Sequence, residues 1–198
     1  MGRNARYSDE DILDAASTIA AEGGAHAVTM TKIASRLGAP SGSIYHRFAS
    51  RDLVMARLWI RTVRRFQVGF LEAFAQQDLP AVVRDAVLHT VDWSEQNRDE
   101  ARVLLLHSQR ELLAREPEAL GPELAELNTQ VAAVLRTFTE RLFGQVTPES
   151  IGRSRLALIE LPYAAARHQI ASGAPTPSWL RDSVLDASCA VLGMERAL

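Results

Sequence analysis

Apolar residues recur at intervals of three and four along almost the whole chain, the spacing that gathers them on one face of an α-helix. No alternating run of Val, Ile or aromatic residues indicates a β-strand. The first helix is predicted to begin at a Ser8 cap, with Asp11 three residues later, and to end at Gly23. The pattern therefore predicts an all-α protein of about nine helices.

Three short helices are predicted to precede a long one. The second helix follows Thr29 and ends at Gly38, and the third covers residues 41–47. The long helix begins after Ser50 and continues to about Gln77. One side of it is predicted to be a solvated basic stripe of Arg57, Arg61 and Arg64.

The carboxy-terminal part of the chain is predicted to hold five further helices, at residues 80–97, 99–115, 122–143, 148–172 and 177–192. The helix at 148–172 has apolar residues on two sides, with Leu156 and Tyr163 on one and Leu158 on the other. Burying both sides requires neighbours on both, and we expect one neighbour to be a second copy of the chain. The last two helices are therefore predicted to form the interface of a homodimer.

Composition mainly excludes classes of protein. With 47% hydrophobic and 23% charged residues the chain is typical of a globular protein. A single cysteine and the lack of an apolar stretch of about 18 residues predict a soluble, cytoplasmic protein without disulfides and without a membrane span. The histidines have no metal-ligand spacing, so neither a metal site nor a cofactor is expected. No glycine-rich phosphate loop, Gly-x-Ser-x-Gly or HExxH motif is present, and the chain is predicted not to be an enzyme.

Charge is unevenly distributed along the chain. Residues 1–66 contain ten Lys and Arg against six Asp and Glu, a net charge of +4. The remaining residues carry a net charge of −6. A basic head on an acidic body is typical of a head that meets nucleic-acid phosphates, although chance surface charge gives the same imbalance.

The segment at residues 29–53 has the pattern of a helix-turn-helix. Ile33 gives its first helix an inward face, Gly38 permits a left-handed turn, and Ile44 and Phe48 return the next helix to the same core. A face of small and hydrogen-bonding residues without carboxylates is left pointing outward, as a helix in a DNA major groove requires. Its residues are Ser41, Gly42, Ser43, Tyr45 and His46.

Hydroxyl and cationic side chains flank that outward face. Thr29, Thr31 and Lys32 lie at the start of the second helix, and Arg51 lies at the start of the fourth. Together with the unpaired N–H groups of a helix start, they are predicted to contact phosphates.

These residues, in this order, resemble the TetR family. The matching positions are Thr29, Ile33-Ala34, Gly38, Gly42-Ser43, Ile44-Tyr45, Phe48 and Arg51-Asp52-Leu53. The resemblance covers residues 11–58 and is only architectural beyond them. It implies that Tyr45 and His46 touch backbone or bases, that Thr29 and Arg51 touch phosphates, and that residues 41–43 approach bases. Thr31 replaces the base-reading basic residue of many members, so that DNA shape is expected to matter more.

The resemblance also implies an organisation and a function. It predicts a DNA-binding domain at residues 1–50 and a ligand-binding and dimerisation domain at residues 51–198. The expected function is that of a repressor which binds a palindromic DNA operator as a dimer and is released by a small, largely apolar effector. An activator of the same fold, and an all-helical interaction module that has lost DNA binding, remain alternatives.

Aromatic residues in the body are candidates for an effector pocket, although the same residues can form a filled core. The predicted lining residues, with polar groups included, are Trp59, Phe66, Phe70, Trp93, His107, Tyr163 and Arg167.

Overall fold

A computed structural model describes residues 7–109, 111–112 and 117–195, with no side chains described for residues 117–119. All regular elements in these ranges are helical, which confirms the all-α prediction. The helices are α1 (Asp9–Gly23), α2 (Met30–Leu37), α3 (Ser41–Tyr45), α4 (Arg51–Ala73), α5 (Leu79–Gln96), α6 (Arg98–Leu104), α7 (Pro117–Glu126), α8 (Thr129–Phe143), α9 (Pro148–Arg155), α10 (Leu161–Ser172) and α11 (Ser178–Leu192). A 3-10 turn covers Ala25–Ala27, and a π-helical turn covers Leu156–Glu160.

The chain forms two compact units. The first contains Met1–Val63 and Asp99–Leu124, and the second contains Arg64–Arg98 and Ala125–Leu198. Residues 51–63 of α4 belong to the first unit, and its residues 64–73 belong to the second.

The first unit is built around the three short helices. Ile12 of α1, Ile33 of α2 and Ile44 of α3 are fully buried. Between α2 and α3, Gly38 has φ +62°, a left-handed conformation that glycine adopts without steric cost. The predicted helix-turn-helix is therefore present.

Arginines of α4 form ion pairs within the first unit. The Arg61 guanidinium lies 2.8 Å from carboxylate oxygens of both Glu10 and Asp14 on α1. Arg57 pairs with Glu123 of α7. The prediction of a solvated stripe is therefore wrong for these two arginines, because carboxylates distant in sequence fold back onto α4.

Two predicted helices are interrupted within the ranges that their apolar pattern indicated. Helix α6 stops at Leu104, whose carbonyl accepts a hydrogen bond from the Trp59 indole (3.3 Å). The predicted helix at 122–143 is divided, because the Gln67 amide donates to the Leu127 carbonyl and to the Asn128 side-chain oxygen, both at 3.0 Å. Both breaks depend on hydrogen bonds from α4 that span at least 45 positions in the sequence.

The second unit has its own apolar core, to which α4, α5, α8, α11 and the π-helical turn contribute. Leu158 and Val184 are buried in it. Leu156 and Tyr163 remain exposed, at 39% and 46%. Of the two apolar sides predicted for residues 148–172, the side with Leu158 is thus covered by the chain itself.

A proline is accommodated by the π-helical turn. Pro162 has no N–H and its ring crowds the preceding turn. The Leu161 N–H bonds to the Leu156 carbonyl, five residues back, which leaves the Ala157 carbonyl without that donor. The hydroxyl of Ser188 on α11 donates to it instead, at 2.7 Å. The helix therefore widens before the proline into a π turn, and the neighbouring helix supplies the donor for the Ala157 carbonyl.

Among the described residues, no helix is long and apolar enough to cross a membrane. The same part of the chain contains no group of three or more His, Cys, Asp or Glu side chains arranged to hold a metal ion.

Candidate DNA-binding surface

The outward side of α3 is a continuous polar surface. We call it the recognition face and define it by five exposed residues: Ser41, Gly42, Ser43, Tyr45 and His46. Ile44 and Phe48 are buried behind it and fix the orientation of the helix. Tyr45 is 54% exposed, so its ring is available to a partner and is not part of the small core.

No protein atom crowds the position that a side chain at Gly42 would occupy. A Cβ atom built at this position meets no other atom within 4 Å. Neither packing nor a positive φ therefore requires glycine here, although glycine weakens a helix relative to alanine. A close approach by a binding partner is consistent with glycine at this position.

The start of α2 carries three further residues of the predicted DNA-binding set. Thr29 caps the helix, and its hydroxyl oxygen accepts from the Lys32 backbone N–H at 3.2 Å. The hydroxyl hydrogen of Thr29 is still available to a phosphate oxygen. Thr31 and Lys32 are exposed. The three residues thus lie where the sequence predicted phosphate contacts, and those contacts stay a prediction.

Arg51 has protein partners that the sequence did not reveal. Its Nε donates to the Val28 carbonyl and its Nη2 to the Ala25 carbonyl, each at 2.7 Å. Its Nη1 lies 3.1 Å from an Asp52 carboxylate oxygen. A phosphate contact by Arg51 stays a prediction, and the structure shows that this side chain also links α4 to the turn that precedes α2.

Tyr7 makes a further contact that the local sequence pattern did not indicate. Its hydroxyl donates to the Gly38 carbonyl at 3.0 Å, which joins the chain entering α1 to the turn between α2 and α3. The sequence around a tyrosine that precedes a helix does not show whether its hydroxyl forms such a hydrogen bond or is exposed to solvent.

Carboxylates near this surface are paired. The Arg36 guanidinium lowers the pKa of Glu22 through two hydrogen bonds of 2.8 Å. Hydrogen bonds from the Ser8 backbone N–H and hydroxyl lower the pKa of Asp11. Asp9 pairs with Arg47. The lowered pKa values keep Glu22 and Asp11 ionised at neutral pH, and Glu22 and Asp9 each pair with an arginine.

The predicted effector-lining residues fall into different environments. Trp59 and His107 belong to the first unit, where Trp59 is buried. In the second unit the Phe66 ring lies 5.9 Å from that of Phe70 and 5.4 Å from that of Trp93, centroid to centroid. Phe70 is part of the apolar core there. These rings pack on one another, as the filled-core alternative requires.

The two remaining predicted lining residues, Tyr163 and Arg167, are both exposed on α10. The second unit also has a cavity of about 590 Å³, open to solvent, that includes none of the seven predicted residues. Its lining combines apolar and polar side chains: Arg64, Gln67, Val68, Leu71, Glu126, Leu127, Thr129 and Gln130. Aromatic positions in the sequence do not indicate this cavity, because no aromatic residue lines it.

Comparison with known proteins agrees with this geometry. Residues 12–58 match the family model described as bacterial regulatory proteins, tetR family. No curated protein matches the chain. A transcriptional regulator from Rhodococcus sp. Rha1 has a similar structure, with a TM-score of 0.71 and 24% identity over 97% of this chain and 100% of that one.

Two structures of FadR proteins also share the fold. The fatty acid degradation regulator FadR from Bacillus halodurans has a TM-score of 0.69 and 17% identity, over 93% of this chain and 94% of its own. FadR from Bacillus subtilis, solved in complex with stearoyl-CoA, has a TM-score of 0.69 and 16% identity, over 91% and 97%. Residues 12–58 thus match the amino-terminal domain of the tetR family of bacterial regulatory proteins, as the motifs predicted, and over its whole length the chain shares the fold of these solved structures.

Proposed function

We propose that this protein is a ligand-responsive transcriptional repressor that binds a palindromic DNA operator as a homodimer. In this proposal residues 1–50 read the DNA, and residues 51–198 dimerise and bind an effector. The recognition face is the observation that carries it, since five exposed residues on one short helix are held outward by buried Ile44 and Phe48.

The chemistry of the recognition face favours DNA. Hydroxyl and imidazole groups donate to and accept from base edges in a major groove. Its serines and glycine are small and allow close approach, and residues 41–48 include no carboxylate that would repel phosphates. The exposed hydroxyls and lysine at the start of α2 add donors for the DNA backbone.

The dimer is supported by exposed apolar side chains near the end of the chain. Leu156, Tyr163 and Trp179 are exposed at 39%, 46% and 61%, and all three lie in the last two predicted helices. We infer that these exposed apolar side chains belong to the dimer interface. Tyr163→Glu should therefore give a monomeric mass by light scattering, whereas Leu106→Glu, at a comparably exposed leucine in the first unit, should leave the dimer intact.

The effector is supported by the cavity of the second unit. Val68, Leu71 and Leu127 provide apolar surface, and Arg64 and Gln67 provide hydrogen-bonding groups. We propose a small effector with an apolar part and a polar end. The seven residues predicted from the sequence stay predictions as effector contacts. Linkage requires that the effector and the operator weaken each other by the same factor, typically about 5–150-fold.

The function is tested by selecting DNA from a random pool with the purified protein and measuring its affinity for the enriched sequence. The proposal expects an inverted repeat, bound more tightly than random DNA. His46→Ala should change which sequence is preferred, at a cost of about 1–3 kcal/mol if it reads a base. A pool that yields no enriched sequence would refute DNA reading and would favour an interaction module.

A further inference from the structure

We propose that Arg51 is a positioning residue for DNA binding, which acts by holding the starts of α2 and α4 together and not by neutralising a phosphate. The inference rests on the proposed function, since it concerns the same DNA-reading unit. It assigns Arg51 a different role from the one that the family motif implies.

Two parallel hydrogen bonds define the contact. Nε and Nη2 form one edge of the planar guanidinium, and each donates at 2.7 Å to a backbone carbonyl, of Val28 and Ala25 respectively. Those carbonyls belong to the 3-10 turn and the residue that ends it, directly before the Thr29 cap. A rigid fork that engages two oxygens fixes both distance and angle, which a single contact cannot do.

The contact joins two helix starts. Arg51 is the first residue of α4, where the Ser50 hydroxyl accepts from the Leu53 N–H at 3.1 Å. Thr29 caps α2 in the same way. Helix starts present N–H donors that suit phosphates. Because phosphates along DNA have fixed spacing, both helix starts can bind one strand only if their separation is also fixed.

Most of the donor capacity of Arg51 is already engaged. A guanidinium has five N–H groups, and contacts to Val28, Ala25 and Asp52 occupy three of them. Its charge is also offset by the adjacent carboxylate of Asp52. The engaged N–H groups and the offset charge both weaken any contact between Arg51 and a phosphate. The two carbonyl contacts, by comparison, require a guanidinium.

The substitution Arg51→Lys distinguishes a positioning role of Arg51 from a phosphate contact. Arg51→Lys preserves the positive charge, but a single ammonium group on a flexible stem cannot reproduce the two parallel bonds. A positioning role predicts that Arg51→Lys and Arg51→Ala weaken operator binding to a similar extent, by roughly tenfold or more, which corresponds to the loss of two hydrogen bonds. A phosphate contact predicts that Arg51→Lys stays close to the unchanged protein.

The salt dependence of binding gives an independent readout. Each phosphate that a Lys or Arg side chain neutralises contributes about 0.9 to the slope of log affinity against log salt concentration, and Arg51 neutralises none if it is a positioning residue. Under the proposal, both Arg51 variants keep the slope of the unchanged protein. Lys32→Gln is the matched control, because it removes an exposed cation predicted to touch phosphate and should lower the slope by about 0.9.

The experiment measures affinity for DNA selected from a random pool, with the active fraction of each variant fixed by stoichiometric titration. If an Arg51 variant has a lower active fraction but its active molecules bind DNA as tightly as the unchanged protein, the substitution affects only folding. That result overturns the proposal. An affinity near that of the unchanged protein for Arg51→Lys, or a slope reduced by about 0.9 in Arg51→Ala, also overturns it. If the unchanged protein selects no sequence, the proposed function itself fails.

Discussion

Gly69 of α4 is the position at which the structure makes its sharpest stability prediction. A Cβ atom added there would lie 2.7 Å from Nδ1 of His89 on α5 and closer still to Cε1. The His89 ring cannot withdraw freely, because its Nε2 lies 2.8 Å from the Phe66 carbonyl and its centroid lies 5.1 Å from that of Phe66. Gly69→Ala must therefore displace this imidazole.

The expected magnitude follows from opposing effects. Alanine in place of glycine favours a helix interior by about 1 kcal/mol. Overpacking opposes this by about 1–3 kcal/mol, and loss of the His89 hydrogen bond by about 0.5–1.5 kcal/mol. We expect Gly69→Ala to lower the free energy of unfolding by about 0.5–3.5 kcal/mol, measured by urea denaturation at one fixed protein concentration.

A double-mutant cycle supplies the control. In a His89→Ala background the obstructing ring is absent, and Gly69→Ala should then stabilise the protein by about 0.5–1 kcal/mol. The effect of the same substitution thus changes sign with the residue at position 89. Stabilisation by Gly69→Ala in the unchanged background would refute the close packing of α4 against α5.

Three other predictions follow from exposed positions. Gly42→Ala should stabilise the free protein by about 0.5–1 kcal/mol yet weaken operator binding, and an unchanged operator affinity would contradict a close approach at Gly42. Glu22 has its pKa lowered from 4.5 by Arg36, so the stability of this pair is present above that value and is lost as the pH falls through the lowered pKa. The melting-temperature difference between the unchanged protein and Glu22→Gln should therefore vanish in acid, and a difference independent of pH would contradict the pairing. Tyr163→Glu should lower operator affinity as well as the mass in solution, and unchanged values of both would exclude α10 from the interface.

The amino-terminal unit was predictable because its determinants are local. Caps at Ser8 and Thr29 and the turn at Gly38 each depend on residues within a few positions. The ends of α6 and α7 were not predictable from the sequence, since they depend on hydrogen bonds from Trp59 and Gln67 to distant carbonyls. A periodic pattern records which face is apolar and contains no information about such long-range bonds.

The same distinction applies to the candidate sites. The recognition face follows from helical period alone, because burying Ile44 and Phe48 on one side of the helix turns the other side outward. The carbonyl contacts of Arg51 were hidden, since an arginine at a helix start suits a phosphate equally well. Whether Phe66 and Phe70 line a cavity or fill a core depends on the volume of their neighbours, which sequence spacing does not give.

Nuclease protection of the DNA selected from a random pool tests the central claim most directly. The account predicts two protected half-sites in an inverted repeat, with centres one helical turn or about 34–36 Å apart, and a bound mass of two or more chains. Protection of a single half-site by one chain would contradict the dimer. Equal affinity for the selected and random DNA would contradict sequence reading by the recognition face.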